Sequence, residues 1–193
     1  MAVYSRVYDT YADAEATVRD LEAAGIPADD ISLVANKYVS EDYADVTETS
    51  AAASGAGLGA LAGGGAGLLA GVGLLAIPGL GPVVAAGWLA ATAAGAAAGA
   101  AAGGLIGALV EAGTPEEEAH VYSEAVRRGG TLLTVRNDTA EPAAVNAILD
   151  RHQPVDTGLR RREYEEGGWN QYDPEAPVYT PSEAELERIR RRR

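Results

Sequence analysis

The sequence GLLAIPGLGPVVAAG occupies residues 73–87 and lies inside a longer stretch, residues 49–110, that contains no charged residue. Glycine recurs at intervals of four on both sides of its proline–glycine centre. The first row is Gly55, Gly59, Gly63, Gly67 and Gly71, and the second is Gly87, Gly95, Gly99, Gly103 and Gly107, with alanine at the one missing place. A spacing of four puts these residues on one helix face, where small side chains let two helices pack closely. Residues 49–113 therefore predict a glycine-zipper helical hairpin, with helices over 55–77 and 82–110.

The predicted hairpin needs surroundings that cover its apolar side chains. Its first helix carries leucine, valine and isoleucine throughout residues 58–77, which argues against a flexible linker. Each helix is long enough to cross the hydrocarbon core of a bilayer. Residues 90–104, however, contain only Ala, Gly and Thr, and the flanks are acidic rather than basic. We expect a membrane-associated homo-oligomer in contact with a lipid bilayer; a soluble particle or filament built on the hairpins is the alternative.

The segments on either side of the hairpin predict the two halves of one α+β domain. The first half, residues 1–48, has an alternating strand pattern, a helix capped by Asp9 or Thr10, and a short apolar strand. The second half, residues 114–158, has a helix, a β-branched strand, a second helix and a short last strand at 155–157. These halves favour a ferredoxin-like sandwich, with one antiparallel sheet covered by helices on one face. A less regular α+β domain is the alternative.

The last 35 residues, 159–193, predict an extended C-terminal tail that is poor in aliphatic side chains. Its aromatic residues Trp169, Tyr172 and Tyr179 recur like anchors for a neighbouring surface. The arginines of residues 190–193 suit the acidic body of another subunit. We expect an arm that wraps around a partner subunit, and the alternative is a disordered, solubilising tail.

Composition excludes several kinds of chemistry. The chain has no Cys, which rules out a disulfide scaffold, thiol catalysis and a Cys-ligated zinc site. Its formal net charge of −13 argues against nucleic acid as a partner. The Glu116-Glu117-Glu118 run is explained as stabilisation of a helix start, His120 as a surface residue and His152 as a helix-end cation. We therefore expect no enzyme, no catalytic residue, no cofactor and no metal site.

Several stretches resemble one bacterial family. They are residues 3–20 with Gly25-Ile26, residues 73–82, and residues 113–119 with 127–132. The arrangement is similar to proteins with the general stress protein 17M-like domain, also called the YflT-like domain, over residues 2–154. Members of this group can carry a glycine-rich apolar insertion. The resemblance implies a bacterial, stress-related protein, and it supplies no catalytic residues.

These observations together favour a non-enzymatic, self-assembling structural protein that is anchored by its hairpin. Residues 1–10 contain no apolar run typical of a signal peptide, so we expect the cytoplasmic side of the cell membrane, or the cytoplasm as a large assembly. The alternative function is a ferredoxin-like ligand-sensing module that the hairpin merely tethers.

Overall fold

The computed structural model describes residues 2–36, 73–77, 80–89, 91–92, 104–138, 140–177 and 179. Within these ranges the chain forms an α+β structure with five strands, the five α-helices named below and a 3₁₀ helix at Ala28–Asp30. The strands are β1 (Ala2–Tyr8), β2 (Ile31–Asn36), β3 (Gly73–Ile77), β4 (Gly81–Gly87) and β5 (Thr131–Asn137). The helices are α1 (Tyr11–Ala23), α2 (Gly104–Glu111), α3 (Glu116–Arg127), α4 (Pro142–Leu149) and α5 (Thr157–Glu166).

All strands belong to one antiparallel sheet in the order β1-β5-β2-β4-β3. Strand β5 pairs with β1 on one side, where Ser5 lies opposite Thr134, and with β2 on the other, where Leu33 lies opposite Leu133. Strands β1 and β2 are therefore parallel to each other, and α1 makes the crossover between them. Strand β4 extends the sheet beyond β2, and β3 forms the edge.

Helices cover both faces of this sheet. Helices α1 and α4 pack on one face over a core that includes Val18, Leu33, Leu133 and Leu149. Helices α2 and α3 pack on the opposite face over a second core, and α5 lies against α3. The expectation that helices lie on one face only is wrong, because β5 buries neighbouring side chains on both sides: Leu133 enters the first core and Leu132 the second.

The predicted helical hairpin is wrong for residues 73–77 and 81–87, which form the antiparallel hairpin β3–β4. Two short apolar runs bounded by glycine and proline fit a buried strand as well as a helix, and periodicity cannot separate the two. Pairing with β2 decides in favour of strands. Of the second predicted helix, residues 88–89, 91–92 and 104–110 are helical, the last of these within α2. The remainder of both predicted helices lies largely outside the described residues.

The predicted last strand at residues 155–157 is reduced to a single contact. The backbone N–H of Val155 donates to the carbonyl of Val7 at 2.7 Å, at the outer edge of β1, and Thr157 already begins α5. Gln153 just before this contact has φ +52, the one positive φ of a non-glycine residue in the described part of the chain. At the other end of the domain, the predicted cap of α1 is confirmed, since the Thr10 hydroxyl accepts from the Asp13 N–H at 3.1 Å.

Gly87 ends β4 where two backbones approach closely. Its φ is +86, and a Cβ at this position would lie 2.2 Å from the carbonyl oxygen of Ile31. Gly25 also has a left-handed backbone, with φ +90, but a Cβ there would meet nothing within 4 Å. An alanine at Gly25 would therefore suffer backbone strain alone, whereas an alanine at Gly87 would suffer both backbone strain and steric overlap.

We predict that Gly87→Ala lowers the free energy of unfolding by more than about 3 kcal/mol, because Ile31 and the end of β4 must move apart. Gly25→Ala should cost only about 1–2 kcal/mol, the cost of a left-handed alanine. Denaturant unfolding of both variants beside the wild type checks this. Equal costs at the two positions would show that the β2–β4 approach does not depend on Gly87.

Tyr8 is a fully buried titratable group in the first core, and its hydroxyl donates to the Leu149 carbonyl at 2.7 Å. Burial raises the pKa of Tyr8 to about 12. Burial also raises the pKa of Tyr122, Tyr164 and Tyr172.

We predict a loss of stability at alkaline pH. Between pH ~10 and the raised pKa values, tyrosines of the unfolded chain lose protons that the folded chain keeps, so stability falls as pH rises. Tyr8 alone should contribute roughly 1 kcal/mol per pH unit in this window. Unfolding free energies measured from neutral pH to pH ~11 test the slope. A Tyr8→Phe variant with an unchanged slope would contradict the role assigned to Tyr8.

Candidate functional site

The polar face of α3 is the most concentrated group of charged and aromatic contacts among the described residues. Glu117, His120, Glu124, Arg127 and Arg128 follow one another at helical spacing and project to the same side of the helix. The C-terminal segment, which we define as residues 156–177 and 179, lies across them. Helix α5 begins this segment, and Asp156 caps it by accepting from the Leu159 N–H at 2.8 Å.

Glu124 is the centre of the site, with its side chain 1% exposed. One carboxylate oxygen accepts from Arg127 Nη2 at 2.7 Å and from Arg128 Nε at 2.6 Å. The other accepts from Arg127 Nε at 2.9 Å, so Arg127 binds the carboxylate through two nitrogens. The hydrogen bond to Glu124 is the main cause of the raised pKa of Arg127. A buried carboxylate is stable here because two guanidinium groups replace its water.

The two arginines also form the surface on which aromatic rings rest. The guanidinium carbon of Arg128 lies 4.3 Å from the ring centre of Tyr164. The guanidinium carbons of Arg127 and Arg128 are each 5.3 Å from the ring centre of Tyr179. These distances are those of cation–π contacts. Glu124 thus positions the cations, and the cations hold the segment at Tyr164 and at Tyr179.

Between Tyr164 and Tyr179, the residues Trp169 and Tyr172 make further contacts that attach the segment. Trp169 meets the Tyr164 ring edge-on, with centres 5.7 Å apart. Tyr172 is buried, and its backbone N–H donates to Nδ1 of His120 at 3.2 Å. This bond uses the lone pair of Nδ1, which fixes the proton of a neutral His120 on Nε2.

Ion pairs join the outer side of α5 to the rest of the domain. Arg160 Nη2 lies 2.9 Å from the Asp9 carboxylate, between β1 and α1, and Arg161 Nη1 lies 2.9 Å from Glu117 on α3. These pairs are partly exposed, so each adds little stability by itself. They fix the direction in which α5 crosses α3.

This arrangement is suited to attachment of the C-terminal segment. Glu124 accepts three hydrogen bonds from arginine, and Nδ1 of His120 accepts one from the backbone. The strongest acceptors of the site are thus used to hold the segment. In the described ranges, no three His, Cys, Asp or Glu side chains are grouped closely enough to hold a metal ion.

The structure places the predicted tail anchors on the chain itself. Tyr179 contacts Arg127 and Arg128, Tyr172 contacts His120, and Trp169 contacts Tyr164. An arm on a partner subunit stays a prediction, but in the structure these three residues contact residues of their own chain. His152, interpreted as a helix-end cation, lies with its Nε2 3.0 Å from the Asp20 carboxylate, and this contact is the main cause of the lowered pKa of Asp20.

Most of the predicted packing glycines cannot be placed. Gly55, Gly59, Gly63, Gly67, Gly71, Gly95, Gly99 and Gly103 lie outside the described residues. Gly87 lies at the end of β4, so its assignment to a helix face is wrong. Gly107 lies in α2, as part of a helix. None of the helices in the described ranges is both long and apolar enough to cross a bilayer.

Sequence reasoning missed Glu124. Glu124 precedes Arg127 and Arg128 by three and four positions. An acidic residue three and four positions before two arginines predicts ion pairs on a helix. It does not predict that the carboxylate is buried, because the cover comes from aromatic residues 40 to 55 positions later.

We predict that Glu124→Ala lowers the free energy of unfolding by about 3 kcal/mol, since two partly buried guanidinium groups lose their counter-charge. It should also release the C-terminal segment, so that trypsin cleaves at Arg160–Arg162 sooner than in the wild type. Glu165→Ala, which removes the exposed partner of Arg161, is the matched control and should cost less than about 1 kcal/mol. Equal effects of the two substitutions would remove Glu124 from the centre of the site.

Comparison with known proteins supports the resemblance for the first part of the chain. The family model of the heat-induced stress protein YflT domain matches residues 5–75. The match begins within β1, covers α1 and β2, and reaches into β3. No curated protein and no solved structure matches the chain. Residues 5–75 are therefore similar to the heat-induced stress protein YflT domain, which suggests a stress-related role.

Proposed function

We propose that this chain is a non-enzymatic structural protein of the stress response that self-assembles through its uncharged, glycine-bearing insertion. The similarity to the YflT domain supports the stress-related part of the proposal. The self-assembling part is supported mainly by one observation, the two faces of α2.

Helix α2 is the described helical portion of the glycine rows. Leu105, Ala108 and Leu109 are buried and pack into the second core. Gly107 and Ile106 are half-buried, and Val110 is 42% exposed. The glycine therefore lies beside two apolar side chains on the face that the core does not fully cover. A small residue between apolar neighbours is the pattern by which helices pack closely.

The insertion is also joined firmly to the domain. Strand β4 pairs with β2 through five residue pairs, from Ser32 opposite Gly87 to Asn36 opposite Val83. The Ser32 hydroxyl adds a bond to the Ala86 carbonyl at 2.8 Å. Because the insertion shares a sheet with β1, β2 and β5, an assembly built on it holds the whole domain in a fixed orientation. That is what a structural subunit requires.

The buried polar groups support a structural role over catalysis. Glu124 is held by two arginines, and the hydroxyls of Tyr8 and Tyr122 bond to the Leu149 carbonyl and the Glu118 carboxylate. Burial raises the pKa of both tyrosines, so neither ionises near neutral pH. The hydrogen bonds of these groups therefore stabilise the fold.

We predict that Gly107→Leu reduces the size of the assembly, because a leucine on this face separates the packed helices. Gly158→Leu is the matched control: Gly158 lies in the first turn of α5, outside the rows, with only ordinary contacts at its Cβ position. Sedimentation velocity across a range of concentrations measures the size, and thermal unfolding checks that both variants fold. The glycine rows have no role in packing if the assembly keeps its size when Gly107→Leu, Gly63→Leu and Gly99→Leu are combined in one variant.

Association of the insertion with a bilayer is the second part of the proposal. It is supported by the absence of charge over residues 49–110 and by the exposed Val110 beside Gly107. Fractionation of cells with a carbonate wash, followed by particle sizing without detergent, tests it. Retention in the washed membrane fraction supports bilayer contact. Recovery as a large, lipid-free particle refutes bilayer contact and leaves self-assembly in place.

A further inference from the structure

Among the described residues, the two edges of the sheet differ in how they are protected. At the β1 edge, the Val155 N–H bonds to the Val7 carbonyl at 2.7 Å, and the strand carries a charged residue, Arg6. Natural proteins protect sheet edges by such means. At the β3 edge the strand is Gly73–Ile77, with the sequence GLLAI, and among the described residues it pairs only with β4. An uncharged strand without proline is a template for pairing with another strand.

The distribution of charge favours contact at this edge. The chain has a formal net charge of −13, so two copies repel when their charged surfaces approach. Residues 49–110, which include β3 and β4, carry none of that charge. On the opposite side of the sheet, Arg6 and Asp9 form ion pairs with Asp150 and Arg160, so a second strand there would meet charged groups that β3 lacks. Two copies therefore meet with least repulsion when their β3 edges face each other.

We propose that the β3 edge is the pairing surface for a second copy of this chain. Two β3 strands pair antiparallel about a two-fold axis and join two five-stranded sheets into one continuous sheet. Because the strand is uncharged throughout, self-pairing places no like charges opposite each other. A two-fold contact also uses the same patch on both copies and closes the pair. The inference rests on the proposed self-assembly and names one of its contacts.

Single cysteines test this surface directly, because the chain contains no Cys of its own. We expect one of Leu74→Cys, Leu75→Cys and Ala76→Cys, the one nearest the two-fold axis, to form an intermolecular disulfide on mild oxidation. Opposed residues of antiparallel strands have the Cβ separation that a disulfide needs. Tyr4→Cys, at the middle of the β1 edge, is the matched control. Non-reducing electrophoresis measures the dimer, and circular dichroism checks that each variant folds.

The expected result is a disulfide dimer that forms on the order of ten-fold faster at the best β3 position than at Tyr4→Cys, because pairing raises the local thiol concentration. The three β3 positions should also differ from one another, since only one lies nearest the axis. Equal rates at β3 and β1 would overturn the inference. Sedimentation of the wild type distinguishes failure of the β3 pairing from failure of the proposed self-assembly. If the chain self-associates without a β3 disulfide, this pairing is wrong and the proposed function stands. A chain that stays monomeric overturns both.

Discussion

Strand β5 lies between two strands that are formed by the first 36 residues of the chain, and every other element depends on that position. Its residues pair with β1 on one side and β2 on the other, so neither early strand has its main partner until residues 131–137 are in place. Because β5 is an interior strand, its side chains are buried on both faces. That in turn requires helices on both faces, which α1 and α4 supply on one and α2 and α3 on the other.

Local patterns in the sequence were sufficient for β1, α1, β2, α3, β5 and α4. Thr10 as a cap and the alternation within residues 3–8 are signals that depend on neighbouring residues only. The sequence Thr131-Leu132-Leu133-Thr134-Val135 also held a signal that was not used: adjacent leucines without alternation indicate a strand buried on both faces. A strand buried on both faces needs helices on both faces of the sheet. The adjacent leucines therefore argue against the expected sandwich with helices on one face.

The hairpin β3–β4 could not be inferred in the same way. Its runs Leu74–Ile77 and Val83–Ala86 are apolar on every position, so neither the period of a helix nor that of a strand appears. What selects the strand is the free edge of β2, a long-range feature. The glycine spacing gave a wrong interpretation at Gly87. This residue fits the row of glycines at intervals of four, but a glycine is required there because the backbone is left-handed and lies against Ile31. For the candidate site, the sequence indicates the aromatic anchors. Their contact with the arginines at the end of α3 depends on the buried carboxylate of Glu124, which the sequence does not indicate.

The placement of β5 has a consequence for the order in which the chain can fold during synthesis. Ser5 and Thr134 meet across the sheet although 129 positions separate them, and contacts of this range form late. The uncharged residues 49–110 leave the ribosome before β5 has been made, and so before the sheet that receives β4 is closed. For that interval a long apolar stretch has no finished core to join. Until β5 pairs with β1 and β2, that stretch is open to association with other chains, and any condition that slows closure of the sheet lengthens this interval.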